Sequence, residues 1–248
     1  MMAKPRTSGR TIAPVPTGGG GSMRILAIDT ALEACAAGVI AMPDRVLAQE
    51  SLAMARGHAE ALMPLLARVM DQAGIRFDDL DRIAVTVGPG SFTGLRVGIA
   101  AARGIALASG KPAVGVSTLA AFAGPYLAAG ETRPVVAAVD ARHDQVYFEV
   151  FGPGGRILVT PRLSPVRDAV RAASATAAAV IVGSGAGMLA GAWSDGNPLP
   201  TIATQGAPQI ASIARLGAAA DVAHALPKPL YLRRPDARPQ DAARLPRR

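Results

Sequence analysis

Cysteine and histidine are scarce in this sequence. One cysteine, Cys35, in 248 residues excludes an intramolecular disulfide framework. The three histidines, His58, His143 and His224, show no metal-ligand spacing with one another. No H-E-x-x-H pair, nucleophile elbow or cysteine–histidine pairing is present. Long apolar runs are also missing. Stretches such as Val97 to Ala108 are interrupted by Arg103 and fall short of the ~18 uncharged residues that a membrane span needs. The first residues lack the apolar core of a secretory signal. Together these absences point to a reducing cytoplasm and to no membrane association.

Net charge is absent from the body of the chain. The total is +8. Residues 1–22 contribute +3 through Lys4, Arg6 and Arg10, and residues 228–248 contribute +5, so residues 23–227 balance at zero. The Arg-rich end reads as a solvated tail, with salt-sensitive attraction to phosphates as its alternative.

What the sequence has is a hydrophobic half and an alternation of strand and helix signals, enough for one or two cores. "TSGRTIAPVPTGGGGS" carries no hydrophobic period, so residues 1–22 read as a flexible extension. "MRILAID" then begins a strand ending at Asp29, and "CAAGVIA" and "RVLAQESLA" follow at hairpin spacing. "GHAEALMPLLARVMDQAG" has helical periodicity through Leu62, Met63 and Leu66, an irregular Pro64, and Gly74 as its stop. "DRIAVTVG" is a buried strand feeding a glycine-rich loop, and "PAVGVS" is a further strand.

The opening recurs. "ILAIDTALEACAAGVI" (25–40) and "VVAAVDARHDQVYFEVF" (135–151) share an apolar strand, an Asp, a polar turn and a second strand, with Asp29 and Asp140 in equivalent places. This suggests a duplicated lobe with a cleft between the copies. The two carboxylates read either as holding a metal nucleotide there or as capping turn amides.

The loop "VTVGPGSFTGLRVGIAAARGIALASG" lacks the Lys-Ser/Thr ending of a Walker loop and the G-x-G-x-x-G spacing. Gly88 and Gly90 allow a tight turn and Ser91 can cap the helix after it. Gly94, Gly98 and Ala102 recur every four residues as a smooth ridge. Glycines inside a helix cost roughly 1 kcal/mol each relative to alanine. The ridge therefore implies a close contact, made either by the lobe's own core or by a partner.

"MRILAIDT", "RGHAEALMPLL", "VGPGSFTGLRVGIAAARGIALASGKPAVGVSTL", "VDARHDQVYF" and "PLYLR" resemble the TsaB (YeaZ) family of the bacterial N6-threonylcarbamoyladenosine machinery, from Met23 to about Arg233. The resemblance implies an α/β fold of two ribonuclease-H-like lobes, as in actin, hexokinase and Hsp70. It divides the chain into a first lobe at 23–130, a smaller second lobe at 131–233 and a basic tail at 234–248. The catalytic paralogue, TsaD, carries an H-x-x-x-H metal pair just past the strand equivalent to "PAVGVS". Thr118 and Phe122 stand in those places here, and neither binds metal as imidazole does.

The resemblance thus implies a subunit with no catalytic residue, metal or cofactor of its own. ATP and a metal ion are expected on partner subunits. It would activate TsaD in threonylcarbamoyl transfer to N6 of adenosine-37 of tRNAs reading codons that start with A, together with the ATPase TsaE. Pairing would run through the two first-lobe helices, with Leu62, Met63 and Leu66 on one and Gly94, Leu95, Gly98, Ala101, Ala102 and Ile105 on the other. Self-pairing through the same helices is an option for the isolated chain. Asp29, Thr30 and Asp140 would mark a vestigial nucleotide cleft. The rival readings are an ATP-dependent kinase-like enzyme, with "IVGSGAGML" (181–189) as its nucleotide-facing turn, and a metal-dependent glycoprotease-like hydrolase.

Overall fold

The computed structural model describes residues 22–193 and 198–233. The expected extension, apart from Ser22, and the basic stretch 234–248 lie outside the described residues.

The first lobe begins with three antiparallel strands, β1 (Arg24–Asp29), β2 (Ala34–Ala41) and β3 (Arg45–Ala53). Every residue of β2 is buried, because helices cover both faces of the sheet at that strand. β3 forms the edge and carries the charged and polar residues that an edge tolerates. α1 (His58–Ala73) runs through Pro64 and stops at Gly74, whose φ of 65° is the left-handed conformation that glycine adopts without strain. Leu62, Leu65, Leu66, Val69 and Met70 face the sheet. β4 (Arg82–Gly88) pairs in parallel with β1, and after α2 (Phe92–Ser109) comes β5 (Ala113–Ser117), parallel to β4. α3 (Thr118–Ala128) leads out of the lobe.

The second lobe repeats this plan. β6 (Val135–Asp140), β7 (Gln145–Phe151) and β8 (Ile157–Pro165) are antiparallel. α4 (Val166–Ser174), β9 (Val180–Val182), α5 (Ala186–Gly191), β10 (Thr201–Ala203) and α6 (Ile210–Ala219) follow. The sheet orders β3-β2-β1-β4-β5 and β8-β7-β6-β9-β10 are the same arrangement. Asp29 and Asp140 end equivalent strands, and Gly88 (φ 110°) and Gly183 (φ 113°) make equivalent turns. The duplication read from two strand-turn-strand matches therefore extends over the whole lobe. The second copy is the smaller, with six residues in α5 where α2 has eighteen.

α3 and α6 lie between the sheets. Leu119, Phe122 and Ala123 of α3 pack on Val135, Ala137 and Val139. Ala121, with Ile210, Ile213 and Ala214 of α6, packs on Ile25, Ala27 and Ile40. The two helices meet closely enough that Ser212 Oγ donates to the Ala121 carbonyl at 2.7 Å. Arg82 closes the end of α6 by donating to the carbonyls of Gly217, Ala218 and Ala220. Residues 210–230 thus return to the first sheet while Arg233 reaches the second lobe, so the elements of the second sheet end at β10 and not at Arg233 as expected. Hydrophobic periodicity marks α6 as amphipathic but carries no information on which sheet it covers.

Candidate functional site

The turn after β1 is the centre of the first lobe. Asp29 is fully buried, and its Oδ1 accepts from the Ala31 amide at 3.1 Å and the Thr86 hydroxyl at 2.6 Å. Burial pushes its carboxyl above the ordinary range, against the opposing effect of those two bonds. Oδ2 has no partner among the described residues. Thr30 is sealed as well, donating its hydroxyl to the Gly94 carbonyl at 2.7 Å. Asp140, in contrast, is exposed, and its Oδ1 accepts from the Arg142 amide at 2.7 Å. Both carboxylates therefore make the same turn, accepting from the amide two residues on. Of the three residues expected to mark a vestigial nucleotide cleft, Asp29 and Thr30 are buried and Asp140 alone is exposed.

The glycine loop has a structural explanation. Ser91 caps α2 by accepting from the Gly94 amide at 3.3 Å, and its own amide donates to the Ala31 carbonyl at 2.7 Å. A Cβ at Gly90 would overlap that carbonyl, one at Gly94 the Thr30 carbonyl, and one at Gly98 the Thr30 hydroxyl. The β1–β2 turn is therefore laid directly onto α2. At a helix N-terminus suited to a phosphate, this chain has placed its own carbonyl oxygens, which repel anions. The loop at 181–189 is filled in the same way, with Gly183 against the Ala138 carbonyl and Gly185 against the Asp140 amide.

The glycine ridge consequently faces the lobe's own core. Gly94, Gly98 and Ala102 are buried, as are Leu62, Leu66, Leu95 and Ile105. These seven leave no surface for a partner, which corrects their place in the expected interface. Met63, 54% exposed, and the partly exposed Ala101 remain accessible. Sequence reasoning missed Gly104, where a Cβ would meet nothing within 4 Å, and Leu107, 88% exposed. Gly104 forms a second small-residue row on α2 with the exposed Ala100 and Ala108, again at intervals of four, and Leu107 lies beside it. The two rows have the same periodicity, and only the packing of α2 decides which one turns outward. α1 lies beside α2 in the first core, with Ala59, Met63 and Ala67 exposed.

Thr118 and Phe122 are both buried at the start of α3. His58 is a structural group bonded to the Leu32 carbonyl at 3.1 Å, and His224 is paired with Asp221 on the surface. Among the described residues, no cluster of three or more His, Cys, Asp or Glu is placed to hold a metal ion. None of the described helices is long and apolar enough to cross a membrane.

Fold and site define a duplicated α/β protein of two lobes, each built on a five-stranded mixed sheet of the same strand order, with the start of α2 in the first lobe covered by the chain's own β1–β2 turn. The family model for TsaD, tRNA N6-adenosine threonylcarbamoyltransferase, matches residues 46–180. The chain belongs to this family, as a homologue of TsaB (YeaZ). It is 42% identical to the Escherichia coli tRNA threonylcarbamoyladenosine biosynthesis protein TsaB over 127 residues, covering 51% of this chain and 54% of that protein. The chain thus matches about half the length of that relative. An uncharacterised protein of Mycobacterium tuberculosis (strain H37Rv) is 36% identical over 231 residues, 87% of this chain and 94% of the relative. The crystal structure of a Pseudomonas aeruginosa protein with similarity to the peptidase YEAZ superposes with a TM-score of 0.71 at 27% identity, covering 85% of this chain and all of that one.

Proposed function

We propose that this chain is a non-catalytic subunit that activates a TsaD-type transferase in the synthesis of threonylcarbamoyladenosine on tRNA. The observation that carries the reading is the outward face of α1 and α2. It presents Met63, Gly104 and Leu107 to solvent beside a first lobe whose ligand position is occupied by its own turn. A helical face with small residues at its centre, flanked by the exposed Arg96 and Arg103, suits another helix lying across it. The transferase supplies the metal, and an ATPase of the TsaE type joins the assembly. This chain contributes shape: it holds its paralogue in the arrangement that passes threonylcarbamoyl from its adenylate to N6 of adenosine-37. A kinase-like reading would need accessible carboxylates in the first lobe, and Asp29 is sealed. A glycoprotease-like reading would need a metal or nucleophile constellation, and the described residues hold none.

The test is co-purification with the native TsaD-type partner. Leu107→Arg keeps the fold, since the side chain lies in solvent, and abolishes pairing, because burying an unpaired charge at a contact costs on the order of several kcal/mol. Asp140→Ala leaves pairing unchanged. A folded Leu107→Arg variant that still pairs would remove this face from the interface. Sedimentation of the isolated chain provides a second readout: any self-association through this face is lost in the same variant.

A further inference from the structure

Arg96, Ala100, Arg103 and Leu107 are all exposed, and their spacing of four, three and four residues lines them up as one stripe along α2. α2 contains no acidic residue. At about 1.5 Å of rise per residue, its two exposed arginines stand roughly 10 Å apart along the axis. The stripe that carries Leu107 is therefore basic as well as apolar, and its Arg96 end is completed by a second part of the chain.

Residues 225–233 run as a strap from the first lobe to the second. The Gly115 amide donates to the Ala225 carbonyl at 2.8 Å, and the Leu230 amide donates to the Val87 carbonyl at 2.7 Å. Arg233 fastens the far end by donating to the Ala141 carbonyl at 3.1 Å and to Gln145 Oε1. Tyr231 lies between these anchors, with its ring centroid 5.0 Å from that of Phe92, one turn before Arg96. The Arg96 guanidinium lies 3.6 Å over the Phe92 ring, and its Nε donates to the Tyr231 hydroxyl at 3.2 Å. These two contacts fix a long side chain that would otherwise sample many rotamers. Neither Nη of Arg96 has a hydrogen-bond or ion-pair partner among the described residues.

A guanidinium held in one plane with both Nη groups unengaged matches a carboxylate, which it binds through two parallel hydrogen bonds. Ordering the side chain beforehand lowers the entropy cost of that contact, and arginine and tyrosine are the residue types that dominate binding energy at protein interfaces. A nucleic-acid backbone is met by a run of cations; here a single guanidinium is held ready, on the stripe it shares with Leu107. We propose that Arg96 receives a carboxylate of the TsaD-type partner. Tyr231 is its positioning residue, so the pairing face extends beyond α1 and α2 onto the strap. The identity of the partner rests on the function proposed above; the fixed guanidinium and its unengaged Nη groups are properties of this chain alone.

The experiment is a calorimetric titration of the full chain with the native TsaD-type partner. Arg96→Gln should weaken pairing about tenfold or more. Arg96→Lys, which keeps the charge but not the fork, should recover only part of that loss. Tyr231→Ala should weaken pairing about threefold in the parent and have no further effect in the Arg96→Gln background, a coupling that a merely structural Tyr231 would not show. Arg96→Glu should abolish pairing, and changing one Asp or Glu on the partner's facing helices to Arg should restore it. Arg96 and Tyr231 are both exposed, so these variants should fold, as circular dichroism and melting will show. The proposal is overturned if folded Arg96→Gln pairs as the parent does, or if no charge reversal on the partner restores Arg96→Glu. It is also overturned if Arg96→Gln loses binding to a tRNA transcript while pairing stays intact, which would make the cluster an RNA contact. Leu107→Arg separates the two readings. If it abolishes pairing and Arg96→Gln does not weaken it, only the carboxylate contact fails; if neither variant affects pairing, the face itself fails.

Discussion

Gly94→Ala should destabilise the isolated chain by about 2 kcal/mol, while Gly104→Ala on the same helix should stabilise it by up to about 1 kcal/mol. Helix propensity favours both changes equally, so the difference comes from surroundings. At Gly104 a Cβ points into open space. At Gly94 it would run into the Thr30 carbonyl, which belongs to a turn fixed by the Asp29–Ala31 and Ser91–Ala31 bonds. Overpacking against backbone that cannot withdraw typically costs about 1–3 kcal/mol or more, which outweighs the propensity gain. For a domain of this size the loss corresponds to about 4–8 °C in Tm. Gly98→Arg should prevent the first lobe from folding, because Gly98 faces Thr30 and Val85. Thermal melts of the two alanine variants decide the matter: equal stabilisation by both would show that the turn does not rest on α2.

The second large effect comes from an acid in an apolar wall. Glu149 lies on β7 between Tyr147 and Phe151, on the face turned toward α3, and is 4% exposed. No cation pairs with it among the described residues. Burial pushes its carboxyl up from 4.5 to about 7. The folded state therefore holds this proton more tightly than the unfolded chain does. Its contribution to stability is fully present below pH 4.5 and is lost as pH rises through about 7. A tenfold difference in proton affinity between the two states is worth about 1.4 kcal/mol, so the loss approaches ~3 kcal/mol at pH 8. The raised carboxyl of Asp29 acts in the same direction. Glu149→Gln keeps the shape without the charge. It should flatten the decline between about pH 5 and 8 and leave the variant more stable than the parent at the upper end. Urea unfolding at both pH values measures this, and parallel declines in parent and variant would place the charge of Glu149 in water.

Much of the first lobe was legible because each element carries its own punctuation. β1 to β3, α1 between two glycines, and β4 with its glycine turn all lie where strand alternation and stop signals put them. The Asp-turn repeat also reported the duplication correctly. The rest depended on facts that a linear pattern does not contain. β9 and β10 are three residues each, too short for a period to register. The glycine ridge and the Ala100–Gly104–Ala108 row have the same spacing, so deciding which faces inward requires the β1–β2 turn that covers one of them. Asp29 and Asp140 look alike in sequence and differ in burial, because the α2 helix that seals the first has only a six-residue counterpart, α5, in the second lobe. Glu149 sits inside the strand "QVYFEVF", where alternation assigns it a face but not the helix that closes over it.

The central claim is that this chain acts through its paralogue and not on substrate. The most direct measurement is threonylcarbamoyladenosine formed on a tRNA transcript in a reaction reconstituted from the native TsaD-type transferase, the ATPase, threonylcarbamoyl adenylate and this chain. The expected result is modification only when the chain is present, full activity with Asp140→Ala, and none with folded Leu107→Arg. Modification that proceeds equally without the chain, or that is lost on Asp140→Ala while pairing is intact, would contradict the account.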